Sequence, residues 1–245
     1  MSSLQSSVPN LHSMLNKSLP YIMHIDLNSC FAIIEQQANR LLRGRPVGIA
    51  AYDTPRGFVI AASYEAKAKN VKLGVNVEQS RSLAPGIVIM TPDPAKYREA
   101  HRLFKAVLQE YSPVVIPKSI DEFILDLSSS PALRCKMQKL KNDVQELRIK
   151  KTEKSQFPFA ISRLSNIDYQ ISASERDLHN QAMLVIGEEI KQKIRERLGE
   201  WVTVNIGIAP NRFLAKYAAG FGKPDGMTLI DHENIRKMYE GMKLV

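Results

Sequence analysis

Cysteine is scarce in this chain: two in 245 residues, Cys30 and Cys135, far apart and without CxxC or Cys/His spacing. No disulfide framework and no zinc site is indicated, so both read as reduced thiols of a cytoplasmic protein. Long apolar runs are missing too. Nothing approaches the ~20 residues of a membrane span, so no membrane is expected among the partners. The opening MSSLQSSVPNLHSMLNKSLP lacks the charged start and apolar centre of a secretory signal, and residues 1–19 read as a polar disordered tail. Acidic charge is in deficit, 25 Asp and Glu against 34 Lys and Arg, a formal net charge of +9. That excess favours a polyanionic partner such as nucleic acid. With 44% hydrophobic residues the chain is long enough for one large or two modest cores.

Tyr21 begins YIMHIDL, a short apolar run ending in an acid, which suits a buried strand that delivers Asp26 to its end. Ser29 is then expected to cap a helix through FAIIEQQANRLL, closed by Arg43 and Gly44. RPVGIAAY and GFVIAAS read as strands joined by the turn formers Asp53 to Arg56. Helices are expected from Tyr64 to about Asn70 and from about Val77 to Leu83, then a strand at IVIM. PDPAKYREAHRLFKAVLQEYS has helical spacing and a proline at its start, so it predicts a long amphipathic helix.

VVIP and SIDEFILDL predict two further strands. In an ideal strand Asp121 and Glu122 point to opposite faces, so both reach one site only near the strand's start or at a bend. Residues from Pro131 to Lys154 read as a basic helix, solvated first and a DNA-backbone contact second. Residues 155–176 show no period and read as loop; a helix at about 177–198, the strand WVTVNIGIA, a helix from Asn211 to Gly220, a KPDG turn and the strand MTLI follow. Strands and helices interleave, which predicts an α/β or α+β class with a mixed or antiparallel sheet.

HIDLN and SIDEF, about a hundred residues apart, are strand-borne acids of the kind that folding brings together around divalent cations. Hard ions such as Mg²⁺ take oxygen ligands, often only one or two carboxylates plus substrate phosphates. Alone, such pairs are weak signals, because surface charge and helix capping are their commoner origins.

Read together, the strings carry more. HIDLNSCFAIIEQ, YEAKAKNVKLGV, SIDEFILDL and NIGIAPNRFLAKYAAGFGKPDGMTLI resemble, in order, four motifs of the Y-family, the DinB/UmuC-type translesion DNA polymerases, and cover most of residues 20–231. The resemblance implies template-directed DNA synthesis by two-metal transfer from a dNTP to a primer 3′-hydroxyl, with two Mg²⁺ ions as cofactor. Primer–template DNA and dNTP are the implied partners, a sliding clamp a candidate third. It matches Asp26, Asp121 and Glu122 to the catalytic metal ligands, with the Leu27 carbonyl as an extra one. Phe31 matches the steric gate whose ring fills the space of a ribose 2′-hydroxyl. Asn28, Tyr64, Lys67 and Lys216 match nucleotide-binding positions. Lys67 stands for a usual arginine, which keeps the charge and loses the bidentate fork. Asn28 stands where many members carry aspartate, and Cys30 where an aromatic is common.

The same resemblance divides the chain into palm (20–29 and 91–223), fingers (30–90) and the start of a thumb (224–245). Between Leu127 and Val204 lie 76 residues, so 128–176 reads as containing an insertion. The chain stops at Val245, before the positions of a helix-hairpin-helix segment and a little finger. The alternative expectation is therefore a non-catalytic palm-and-fingers fragment that binds nucleotide or DNA.

Overall fold

The computed structural model describes residues 17–154 and 174–240. Residues 1–16 of the expected tail and 155–173 of the expected 155–176 loop lie outside the described residues, and Glu175 and Arg176 at that loop's end are helical.

Strand β1 (Ile22–Leu27) is the middle of a five-stranded sheet ordered β5–β6–β1–β7–β8. β5 (Val114–Pro117), β6 (Glu122–Asp126), β1 and β7 (Val204–Ala209) run antiparallel, and β8 (Met227–Leu229) joins parallel to β7. The two faces of this sheet differ because side chains alternate along each strand. Met23, Ile25 and Leu27 enter the main core with Phe123, Leu125, Ile206 and Ile208. Helices α4 (Pro94–Gln109) and α6 (Glu175–Leu198) complete that core with Phe104, Val107 and Leu108 and with Met183, Ile186, Ile190 and Ile194. Each large apolar side chain so buried stabilises the fold by about 1.5–3 kcal/mol.

On the opposite face lies α7 (Arg212–Ala218), whose Leu214, Ala215 and Ala218 pack with Ala209, Ile230 and Ile22. It approaches to backbone contact. A Cβ on Gly207 would lie 2.0 Å from the Ala215 carbonyl oxygen, so any side chain there would push the helix off the sheet. Ile22, His24 and Asp26 share this second face by strand parity.

A smaller sheet, ordered β3–β2–β4, contains β2 (Val47–Ala50), β3 (Val59–Ala62) and β4 (Val88–Met90), with β2 antiparallel to β3 and parallel to β4. Helix α1 (Cys30–Ala38) connects the two sheets. Short helices α2 (Tyr64–Lys67) and α3 (Val77–Leu83) decorate the smaller one, and α8 (Ile235–Glu240) ends the described chain. The mixed sheets and interleaved helices are the expected α/β class.

Three local expectations change. Ser29 stands at the N-cap position of α1, its carbonyl accepting from Ile33 N–H at 3.0 Å, but its backbone is left-handed (φ 48°) and its side chain makes no capping bond. The hydroxyl instead accepts from Lys67 Nζ at 2.6 Å. α1 also stops at Ala38 rather than running through Leu42, because extended Asn39 caps a separate 3₁₀ turn, Arg40–Leu42, by accepting from Leu41 N–H. α2 ends at Lys67 and the chain leaves through Asn70 at φ 64°. The basic helix α5 (Pro131–Lys154) forms as expected and lies against α6, tied by Lys136 to Glu189 and by Lys141 to Glu175 at 3.0 Å.

Candidate active site

Strand register brings the two acidic motifs together. Asp26 pairs directly across from Glu122, and the Leu27 N–H donates to the Asp121 carbonyl at 2.9 Å. The parity conflict between Asp121 and Glu122 is resolved by where β6 begins. Glu122 is its first residue and Asp121 belongs to the bend before it, so the two carboxylates are not bound to opposite faces.

The three carboxylates are nevertheless partnered separately. Asp26 bonds the Lys223 ammonium, Glu122 accepts from Lys216 Nζ at 3.0 and 3.1 Å, and Asp121 Oδ1 accepts from Ser119 Oγ at 2.6 Å. Among the described residues no group of three or more His, Cys, Asp or Glu side chains stands ready to hold a metal ion. Mutual repulsion of like charges explains the arrangement, since each acid lowers its energy by taking a cation or hydroxyl of its own. The donor set still fits a hard divalent cation: Asp26, Asp121 and Glu122 are all oxygen donors, the first and last carried by a registered strand pair.

The structure adds Lys223, which the sequence showed only as part of a KPDG turn. Lys67 is pulled below the ordinary lysine value by burial first and by the neighbouring Lys223 charge second, while Asp26 opposes both. Lys223 contacts Asp26 directly, while Lys67 is held by the Ser29 hydroxyl. Lys216, which the resemblance matches to a nucleotide-binding position, pairs here with Glu122. It lies in a cleft of about 390 Å³ with His24, Lys118, Arg212 and Tyr217. His24 is fully enclosed there, its Nε2 3.8 Å from Glu122 and its Nδ1 without a hydrogen-bond partner among the described residues. Burial holds it below the usual histidine value, against the pull of Glu122, so it is neutral at pH 7.

Asn28 is buried and ties α2 to the residue that precedes β7. Its Oδ1 accepts from the Tyr64 hydroxyl at 3.3 Å and its Nδ2 donates to Thr203 Oγ1 at 3.1 Å. Tyr64 in turn carries Lys67 over its ring, 4.8 Å from the centroid, which fixes the pair one helical turn apart. Burial, then the charges of Asp121 and Asp26, raise the Cys30 thiol far above its ordinary value, so this buried cysteine is inert packing beside the acids. Phe31 is half-buried and stacks on Tyr97, ring centroids 4.3 Å apart and planes 15° apart. Such a pair contributes about 0.5–1.5 kcal/mol beyond its buried area.

This fold, a mixed five-stranded sheet with paired acids at its centre and a smaller sheet beside it, is that of the Y-family DNA polymerases. DinB from Sulfolobus solfataricus superposes with a TM-score of 0.63 at 22% identity, covering 88% of this chain and 50% of that one. The insertion ternary complex of Dbh DNA polymerase gives 0.64 at 21%, over 91% of this chain and 52% of the other. The chain belongs to the impB/mucB/samB family, whose model matches residues 25–220. Among curated relatives, DNA polymerase IV of Moorella thermoacetica is 32% identical over 216 residues, 87% of this chain and 42% of the relative. DNA polymerase IV 1 of Bacillus subtilis is 29% identical, over 85% of this chain and 39% of its own length. The chain thus spans less than half the length of these relatives.

Proposed function

We propose that this chain is the nucleotidyl-transfer core of a translesion-type DNA polymerase, which extends a primer 3′-hydroxyl with a templated deoxynucleotide. The observation that carries the reading is the registered pair Asp26–Glu122 with Asp121 one residue earlier, faced by the lysines of α2, α7 and the KPDG turn. The larger sheet with α4, α6 and α7 would be the palm and the smaller sheet the fingers. Asp26, Asp121, Glu122 and the Leu27 carbonyl would hold two Mg²⁺ ions. Bound there, such ions lower the pKa of the attacking hydroxyl and offset charge on the transferring phosphoryl. The protein's own part is positioning. Lys67 and Lys223, joined by Lys216, meet the triphosphate; the Tyr64 hydroxyl, held by Asn28, grips it from the same helical face; and Phe31 closes the space beside the sugar C2′.

Within this reading primer–template DNA and dNTP are the partners, a sliding clamp is a further candidate, and the site of action is the cytoplasm. Among the described residues no helix is long and apolar enough to cross a membrane. The experiment is single-nucleotide primer extension by the whole chain in Mg²⁺ and in chelator, with each of the four dNTPs in turn. The expected result is templated, Mg²⁺-dependent addition of one nucleotide. Nucleotide and duplex binding without extension would replace it with the non-catalytic reading.

A further inference from the structure

Phe31 and Glu35 stand one turn apart on α1 and therefore share a face. Tyr97, near the start of α4, lies across both: its ring stacks on Phe31, and its hydroxyl donates to Glu35 Oε1 at 3.0 Å. The carboxylate of Glu35 is 3% exposed, and its other oxygen accepts from Lys96 Nζ at 2.6 Å. Lys96 also lies 3.6 Å from Asp93, the residue that caps α4 by accepting from Ala95 N–H and Lys96 N–H. Tyr97 is thus held at both ends, by a stacked ring and by a buried anion whose position the start of α4 fixes.

Packing alone does not call for such an anion. An ionised carboxylate is costly to bury, and an apolar side chain of similar volume fills a core at least as well. What the carboxylate adds is direction, because the Tyr97 ring cannot slide along Phe31 without breaking a bond to it. Burial first, and then the Glu35 charge, raise the Tyr97 phenol above its ordinary value against an opposing backbone bond, so the hydroxyl remains a donor. The bond to Glu35 likewise keeps Lys96 charged.

We propose that Glu35 is a positioning residue for sugar discrimination: with Lys96 it clamps Tyr97 behind Phe31, which makes the Phe31 ring a fixed wall rather than a yielding one. This rests on the reading of Phe31 as the group that excludes a ribose 2′-hydroxyl. An aromatic rejects one extra oxygen by clash only if it cannot retreat, and Tyr97 closes its retreat toward α4.

The test is the ratio of dATP to ATP affinity, measured in Mg²⁺ on the whole chain by displacement of a fluorescent dATP analogue. Thermal unfolding of each variant accompanies it. Phe31→Ala should lower the ratio by about tenfold. Glu35→Leu and Tyr97→Phe should each lower it by at least about threefold through tighter ATP binding, with dATP affinity held within about twofold. Glu35→Gln, which keeps an oxygen able to accept from Tyr97, should restore most of the discrimination. If Phe31→Ala lowers the ratio while folded Glu35→Leu and Tyr97→Phe leave it unchanged, the positioning role is overturned and the gate stands. An unchanged ratio in Phe31→Ala, or binding of neither nucleotide by the unaltered chain, overturns the gate itself and this proposal with it. Should Glu35→Leu fail to fold, Tyr97→Phe decides, since it removes a single oxygen.

Discussion

Two sides of the candidate site are built on opposite plans. The aromatic wall, Phe31 on Tyr97 on Glu35, is buried behind a half-buried Phe31, and its polar atoms are bonded between α1 and α4. The charged floor, Asp26, Asp121 and Glu122, is partly open to water, and its partners are the flexible tips of Lys223 and Lys216 and one serine hydroxyl. Enclosed, fully partnered groups hold one geometry. Ion pairs at the surface contribute little and exchange readily for stronger counter-charges. Under the proposed function the difference assigns each side its part: shape selection to a wall set in advance, and charge stabilisation to a floor whose lysines would pass to phosphate once cations took the acids.

The widest gap between the two sides lies in catalysis. Asp121→Ala on the floor should reduce primer extension by on the order of a thousandfold, the loss of several kcal/mol of transition-state stabilisation, while leaving the unfolding midpoint near that of the unaltered chain. Survival of extension would break the metal assignment. Next in size, Lys223→Ala and Lys67→Ala should each weaken dNTP binding by roughly tenfold or more, the scale of a charge-assisted hydrogen bond; an unchanged affinity in Lys223→Ala would place the triphosphate elsewhere.

Stability should reverse the contrast. Lys96→Met strands the buried Glu35 charge and should cost about 2 kcal/mol in urea unfolding, whereas Lys216→Met on the floor should cost no more than about 1 kcal/mol. Equal losses would erase the distinction between wall and floor. The wall has a selectivity readout of its own: Phe31→Ala should raise ribonucleotide incorporation by at least roughly tenfold, about 1.4 kcal/mol of discrimination. Unchanged sugar selectivity in an active variant would remove that role.

Much of the larger sheet was legible, because YIMHIDL and SIDEFILDL alternate or run apolar over lengths a strand can bury, and α4 announces itself by an Asp-Pro start and helical spacing. The elements of the smaller sheet's side at Val77–Leu83 and at IVIM were equally plain. The parity of Asp121 and Glu122 even marked the place where a bend was needed. What stayed hidden depends on contacts between distant segments. Tyr97 meets Phe31 and Glu35 across more than sixty residues, and only the one-turn spacing of the latter pair is visible along the chain. Lys223 looked like an ordinary turn residue, because turn chemistry explains Lys-Pro-Asp-Gly without a site. Ser29 sits at the expected cap position without a side-chain capping bond, and nothing local reveals its left-handed backbone or its bond to Lys67.

Asp26 and Glu122, now held by lysines, and Asp121, held by Ser119, are the proposed seat of divalent cations beside the nucleotide. The most direct test of this assignment is equilibrium binding of dATP to the unaltered chain and to Asp26→Asn, each in Mg²⁺ and in chelator. The account predicts that dATP binds at least roughly tenfold more tightly in Mg²⁺ than in chelator, and that Asp26→Asn loses most of that gain. Equal affinities in the two conditions, or a full gain retained in Asp26→Asn, would contradict it.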